Sequence, residues 1–302
     1  MNKKSLGIAA LVLLLLVVVA MNLRQPAAPV EGRTFLDGAG RHVTLPGIPQ
    51  RLISMAPANT EILFALGLGD RVLGVTTWCN YPAEAQAIEK VGDAWAPNYE
   101  RIVALQPDLV LAAGTADSEV VVRLEALGVP VLVVNAPTVA DVVEQVVLVG
   151  AATGAAQRAA ELAGAMRDRI EEIEARVAPA AADRPTVFWA LDDQLWTVGP
   201  GSFVHDLIEL AGGRNLAEGL GAPYAQYSLE ALLQADPDVI IVATLAPGAV
   251  AGLDALPGWS DLTAVKAGRV HPVDGDLVSR PGPRIVDGLE LVARLLYPGQ
   301  FR

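Results

Sequence analysis

Aromatic and charged side chains gather at a few places in this chain, each just beyond a stretch that patterns as a β-strand. Trp78 follows a strand ending at Thr76, and Trp95 lies in a loop rich in Gly, Pro and Asn. Tyr224 and Tyr227 lie in the corresponding loop of the second half. Trp189, Asp192, Asp193 and Trp196 follow the first strand of that half, and Asp274, Asp276 and Arg280 follow its last. In parallel α/β sheets the ligand crevice lies outside the carboxyl ends of the strands, so two facing lobes bring these groups together. Such a set of rings, carboxylates and an arginine is suited to holding a ligand.

Motifs for bond-making chemistry are scarce by comparison. There is no G-x-S-x-G elbow and no phosphate-binding G-x-x-x-x-G-K-[ST] loop, and Gly67-x-Gly69 lacks the rest of a dinucleotide fingerprint. His42, His205 and His271 are the only histidines and have no metal-ligand spacing, so each reads as structural. Cys79, the single cysteine, falls in a loop, exposed or half buried, and reads as an inert thiol. Asp192, Asp193 and Asp276 leave a carboxylate-dependent hydrolase as the enzyme alternative.

The elements that must position these groups alternate. Strands are expected over 51–56, 72–76, 109–113 and 131–134, with helices over 60–66, 100–105 and 118–127, the first and last closed by Gly67 and Gly128. The alternation resumes with strands over 186–190, 239–244 and 269–273 and helices over 203–210, 230–234 and 285–296. Short apolar runs between helices indicate parallel strands covered on both faces. Between the halves, 153–177 places Ala159, Leu162, Ala163, Met166, Ile170, Ile173 and Val177 on one helical face, with Thr153 as N-cap. That helix spans roughly 36 Å.

The halves also resemble each other. Asn98, Glu100 and Pro107-Asp108 recur as Ser228, Glu230 and Pro237-Asp238, each followed by a β-branched strand, and Thr60–Gly67 is echoed by His205–Gly212. The expected fold is α/β: two Rossmann-like lobes with mostly parallel sheets, bridged by one long α-helix. A carboxylate in a first helical turn is favoured by the helix dipole, so Glu100 and Glu230 also fit simple capping. Pro283 and Arg284 read as a cap on the last helix.

Lys3 and Lys4 precede an apolar run from Leu6 to Ala20, the pattern of an export signal or a membrane anchor over 1–23. A linker and hairpin fill 24–48, with Asp37-Gly38 at the hairpin turn; a first lobe is expected over 49–150, the bridging helix over 153–178 and a second lobe over 184–302. Bacterial lipoproteins carry a cysteine just after such a run, and none stands here. At 302 residues and 52% apolar content the chain can fill two cores, and its net charge of −12 with a pI near 4.7 argues against nucleic acid. Removal of residues 1–20 takes two lysines and no acid, leaving −14.

The run Arg51-Leu-Ile-Ser-Met-Ala-Pro-Ala-Asn-Thr-Glu-Ile-Leu-Phe-Ala-Leu-Gly67 resembles the solute-binding receptors of cobalamin and iron-siderophore ABC importers. Gly74-Val75 to Asn80-Tyr81-Pro82, Val91-Gly92, the stretch from Asn98 through Pro107-Asp108 and Arg280-Pro-Gly-Pro-Arg284 extend the likeness over about residues 50–296. The resemblance implies a helical-backbone receptor with little hinge motion, no catalysis and no enzyme cofactor, exported and monomeric. It implies that Glu100 and Glu230 dock into a membrane permease dimer. By position it implies ligand contacts from Trp78, Trp95, Tyr224, Asp276 and Arg280, and Trp196 joins them on its loop. Flat rings suit a corrin plane, and arginine suits amide carbonyls or phosphate. The implied cargo is cobalamin; Ala113-Gly114 and Leu191, where such receptors often carry aromatics, keep ferric siderophore or haem as alternatives.

Overall fold

A computed structural model describes residues 32–244 and 252–301. The expected signal or anchor, and the tether up to residue 31, lie outside the described residues. The described chain opens with β1 (Arg33–Leu36) paired antiparallel to β2 (His42–Leu45). Asp37 fixes the hairpin turn: its carboxylate accepts the N–H groups of Ala39, Arg41 and Val133 and the Arg41 guanidinium. Burial alone raises this carboxyl. Together the bonds from Arg41, Val133 and Ala39 outweigh burial and hold it below its ordinary value.

In the first lobe, β3 (Leu52–Ser54), β4 (Val72–Val75), β5 (Leu109–Ala112) and β6 (Val131–Val133) form one parallel sheet in the order β4-β3-β5-β6. Strands β3, β5 and β6 are buried throughout, which is why their sequences show uninterrupted apolar runs. The hairpin turn seals the outer strand, since Val133 exchanges hydrogen bonds with Gly38 and Asp37. In the second lobe lie β7 (Thr186–Ala190), β8 (Trp196–Val198), β9 (Arg214–Asn215), β10 (Tyr224–Gln226), β11 (Val239–Thr244) and β12 (Val270–Asp274). Of these, β12-β11-β7-β9 form the second parallel sheet, and β8 with β10 forms a separate antiparallel ribbon. Counted along the chain, both sheets have their strands in the order second, first, third, fourth.

The helices are α1 (Pro57–Ala65), α2 (Tyr99–Ala104), α3 (Glu119–Ala126), α4 (Val139–Thr153), α5 (Ala156–Val177), α6 (Phe203–Leu210), α7 (Leu229–Ala235), α8 (Thr263–Lys266), α9 (Gly275–Val278) and α10 (Ile285–Leu296). The sequence echo has a structural cause. Asn98 and Ser228 cap α2 and α7 through their side chains. Gln106 and Asp236, each just before the proline, take left-handed backbone at φ 46° and 45°. Asp108 then accepts the N–H groups of Gln50 and Arg51, while Asp238 accepts the N–H and hydroxyl of Thr186. In both lobes the aspartate pins the start of the neighbouring strand.

The long helix differs from expectation at its start. Thr153 is the last residue of α4 rather than an N-cap; its hydroxyl donates back to the Val149 carbonyl at 2.7 Å, and Gly154 at φ 78° turns the chain into α5. Helix α4 itself was not expected, although Thr138 and Asp141 form a capping box and Val139, Val142, Val143, Val146 and Val149 hold helical spacing. Its valines favour strands by propensity, and tertiary burial overrides that preference. Helix α5 holds both lobes. Arg158 donates to the Leu66 carbonyl at the end of α1, and Arg169 pairs with Asp287 and Glu290 of α10 at 2.6 and 2.5 Å. A single apolar cluster runs from Val142 and Val146 through Ala159, Ala163 and Met166 to Leu207, Leu289 and Val292. Gly150 makes the α4–α5 approach possible, because a Cβ there would stand 2.2 Å from that of Ala159.

Candidate functional site

Four of the aromatic side chains expected at the strand ends stand in solvent. Trp95 is 86% exposed, Trp78 58%, Tyr224 51% and Trp196 42%. Trp95 sits on a tight turn in which Asp93 accepts the N–H groups of Trp95 and Ala96 at 2.8 and 2.7 Å. Trp78 projects from the turn after β4. Its neighbour Cys79 is buried, with the Thr60 and Thr76 hydroxyls 3.1 and 3.0 Å from the sulfur, so this thiol is neither exposed nor half buried as its loop position suggests.

The ribbon of β8 and β10 carries the other two rings. Trp196 lies opposite Gln226 and Tyr224 opposite Val198, so the rings are diagonal neighbours on one face. Although Tyr224 is half exposed, partial burial pushes its phenol above its ordinary value. No strand was expected here. Its cause is local: Asp192 accepts the N–H groups of Gln194 and Trp196, and Leu195 reverses the chain at φ 62°. Two other expected rings lie elsewhere. Trp189 is fully buried in the core, and Tyr227 packs on Phe188 with ring centroids 5.6 Å apart.

Asp276 and Arg280 meet the first lobe directly. Arg280 pairs with Asp276 at 2.7 Å, donates to Asn80 Oδ1 at 2.7 Å and to the Trp78 carbonyl at 3.3 Å, and reaches Glu61 Oε1 at 3.3 Å. Asn80 Nδ2 donates back to Asp276 at 2.7 Å. Arg284 is no mere cap on α10: it grips both Glu61 oxygens at 2.9 and 2.7 Å and lies 3.9 Å over the Tyr81 ring. The hydrogen bond to Glu61 raises its already high pKa. Glu61 and Asn80 carry no expected role. The available signal was an acidic residue between Ala58-Asn59-Thr60 and Ile62-Leu63, all buried.

Glu100 and Glu230 are exposed at matching second positions of α2 and α7, and neither forms an ion pair with a described residue. Asp192 serves its turn and Asp276 its ion pair, so neither stands as a free acid or base.

The family model described as periplasmic binding protein matches residues 52–277. The chain belongs to the periplasmic binding protein family. An uncharacterized ABC transporter substrate-binding lipoprotein of Bacillus subtilis, YvrC, is 34% identical to it over 318 residues, covering 99% of each chain. A cobalamin-binding protein of Halobacterium salinarum is 33% identical over 270 residues, 86% of this chain and 73% of the relative. Among solved structures, the periplasmic heme-binding protein RhuT from Roseiflexus aligns with a TM-score of 0.75 at 26% identity, covering 83% of this chain and 99% of that one. This binding protein is thus a non-enzymatic, substrate-capturing component of an ABC importer in the group that handles cobalamin, siderophores and haem. The hydrolase alternative falls with that assignment.

Proposed function

We propose that this binding protein captures a corrinoid against Trp78 and Trp95 of the first lobe and Trp196 and Tyr224 of the second, with Asp276 and Arg280 at the edge of the cleft. The observation that carries the reading is the exposure of those four rings, two on turns of the first lobe and two on the ribbon of the second. Leaving such a side chain in water forgoes about 2 kcal/mol of burial, and a flat apolar ligand recovers it. Haem is the weaker fit. His205 Nδ1 faces the Asn215 amide, and the Nε2 of His271 is buried. A catecholate siderophore wants several free cations, whereas Arg280 is already paired.

Calorimetric titration with cyanocobalamin, haemin and a panel of ferric siderophores tests the cargo. Saturation by one cyanocobalamin per chain, with quenching of tryptophan emission and no turnover, is expected; saturation by haemin or a siderophore alone sinks the corrinoid reading.

The paired acids supply the delivery step. Glu100 and Glu230 occupy equivalent places on the two lobes and meet basic pockets of a permease dimer, while the protein itself acts outside the cytoplasm as a monomer. A Glu100→Ala, Glu230→Ala variant should bind ligand normally and fail to support uptake through the cognate permease. Normal uptake would remove the docking role.

A further inference from the structure

We infer that Glu61 is a positioning residue for the cleft: a buried carboxylate of the first lobe on which two arginines of the second lobe close, setting where Arg280 and the Trp78 turn stand. The proposal rests on the corrinoid reading only for Arg280's contact with ligand. Its geometric part stands apart from that reading.

Glu61 is 3% exposed, in α1 beside the fully buried Ile62 and Leu63. A carboxylate removed from water to that degree persists only when paired. Its ion-pair partners all come from the other lobe. Arg284 supplies a two-pronged grip at 2.9 and 2.7 Å, and Arg280 a longer bond at 3.3 Å. The two arginines are spaced by Pro281-Gly282-Pro283, a segment with little conformational freedom at its prolines. Gly282 lies flat on α1: a Cβ there would sit 3.5 Å from the Ala58 backbone and from Glu61 Oε2.

The uneven distances divide the work. Arg284 anchors the segment, and Arg280 turns its remaining donors to Asn80, the Trp78 carbonyl and Asp276. Glu61 thereby links the fixed anchor to the turn that carries an exposed ring. Without it, two adjacent guanidinium groups at the seam lose their common anion and repel each other, and the Trp78 turn loses its reference point.

The test places nitroxide labels on Val103→Cys of α2 and Gln234→Cys of α7, both exposed positions, and measures the interlobe distance distribution by pulsed electron resonance. Cys79 is buried and stays in place. A narrow distribution is expected for the otherwise unchanged protein. Glu61→Ala should broaden and lengthen it and weaken cyanocobalamin binding about tenfold, and Glu61→Gln, which keeps an acceptor for Arg284, should restore much of both. A merely structural role would lower the melting temperature and leave the distances of the folded variant unchanged, and that result overturns the proposal. Should Glu61→Ala not fold, Glu61→Leu with Arg284→Met removes the pair without stranding a charge between those two residues; it too must broaden the distribution, or the proposal fails. If the labelled parent ignores cyanocobalamin while the distances respond as stated, the cargo reading fails and the positioning role stands.

Discussion

The two lobes carry the same four-stranded sheet in the same strand order, yet they present their rings differently. The first holds Trp78 and Trp95 on bare turns, and the second inserts a two-stranded ribbon to hold Trp196 and Tyr224. What repeats between them is internal: the aspartate after a proline that pins a neighbouring strand, the left-handed residue before that proline, and glycines at φ 71° and 83° closing α1 and α6. What diverges is how the exposed rings are carried. Strand placement tolerates little change because it decides which side chains are buried, whereas an exposed turn is constrained only by its own hydrogen bonds.

The strongest way to break this pairing is to drive the lobes apart at their shared core. Gly150→Leu forces a side chain into Ala159 and should cost about 3 kcal/mol, with the single calorimetric transition expected of the parent resolving into two. One transition in the variant would show that the lobes stay coupled without close α4–α5 packing.

Acid should then tell the lobes apart. Asp37, in the first lobe, has a folded pKa below its unfolded value of about 3.9, so its contribution is whole above that pH and is lost as pH falls through the folded value. That contribution should vanish there, and Asp37→Asn should flatten the acid limb of a denaturation series. His271, in the second lobe, is held neutral by burial and by the nearby Arg269, so its folded pKa lies below the ordinary value of about 6.5. The unfolded chain binds that proton first, so stability declines as pH drops below about 6.5, and His271→Leu should remove this earlier decline.

A smaller effect tests the repeat itself. Asp108→Ala and Asp238→Ala should each cost about 1 kcal/mol in denaturant unfolding, equal to within experimental scatter; a clear inequality would mean the two aspartates only look alike. Smallest is Gly164→Ala in α5. No atom lies within 4 Å of the added Cβ, so the helix should gain about 0.5–1 kcal/mol, read as a raised melting temperature.

Much of this arrangement was legible in the residues. The apolar runs of β3, β5 and β11, the amphipathic face of α5 and the Pro-Asp repeat each state their structure locally, because periodicity and turn chemistry are local properties. Helix α4 carries a legible cap and helical spacing, but its valines favour strands by propensity, and only the cover of α5, α1 and α6 decides for helix. Ribbon β8–β10 escaped because three-residue strands show no period, and its register depends on a reversal at Leu195. Trp78, Trp95, Trp196 and Tyr224 stand exposed, whereas Trp189 and Tyr227 from the same stretches pack inward. The union of Glu61 with Arg280 and Arg284 spans 219 and 223 residues of chain, and no spacing rule connects them.

The apolar cluster that runs unbroken through both lobes has a consequence for unloading. A receptor hinged on flexible strands stores its opening motion in the hinge and lets go by swinging wide. Here the halves share one interior, so there is no such spring, and in the proposed role the escape of cargo is timed by the contacts of the rings and of Arg280 and Asp276. If the permease docks as proposed, ejection on demand is worked from outside, by a membrane partner that holds both lobes.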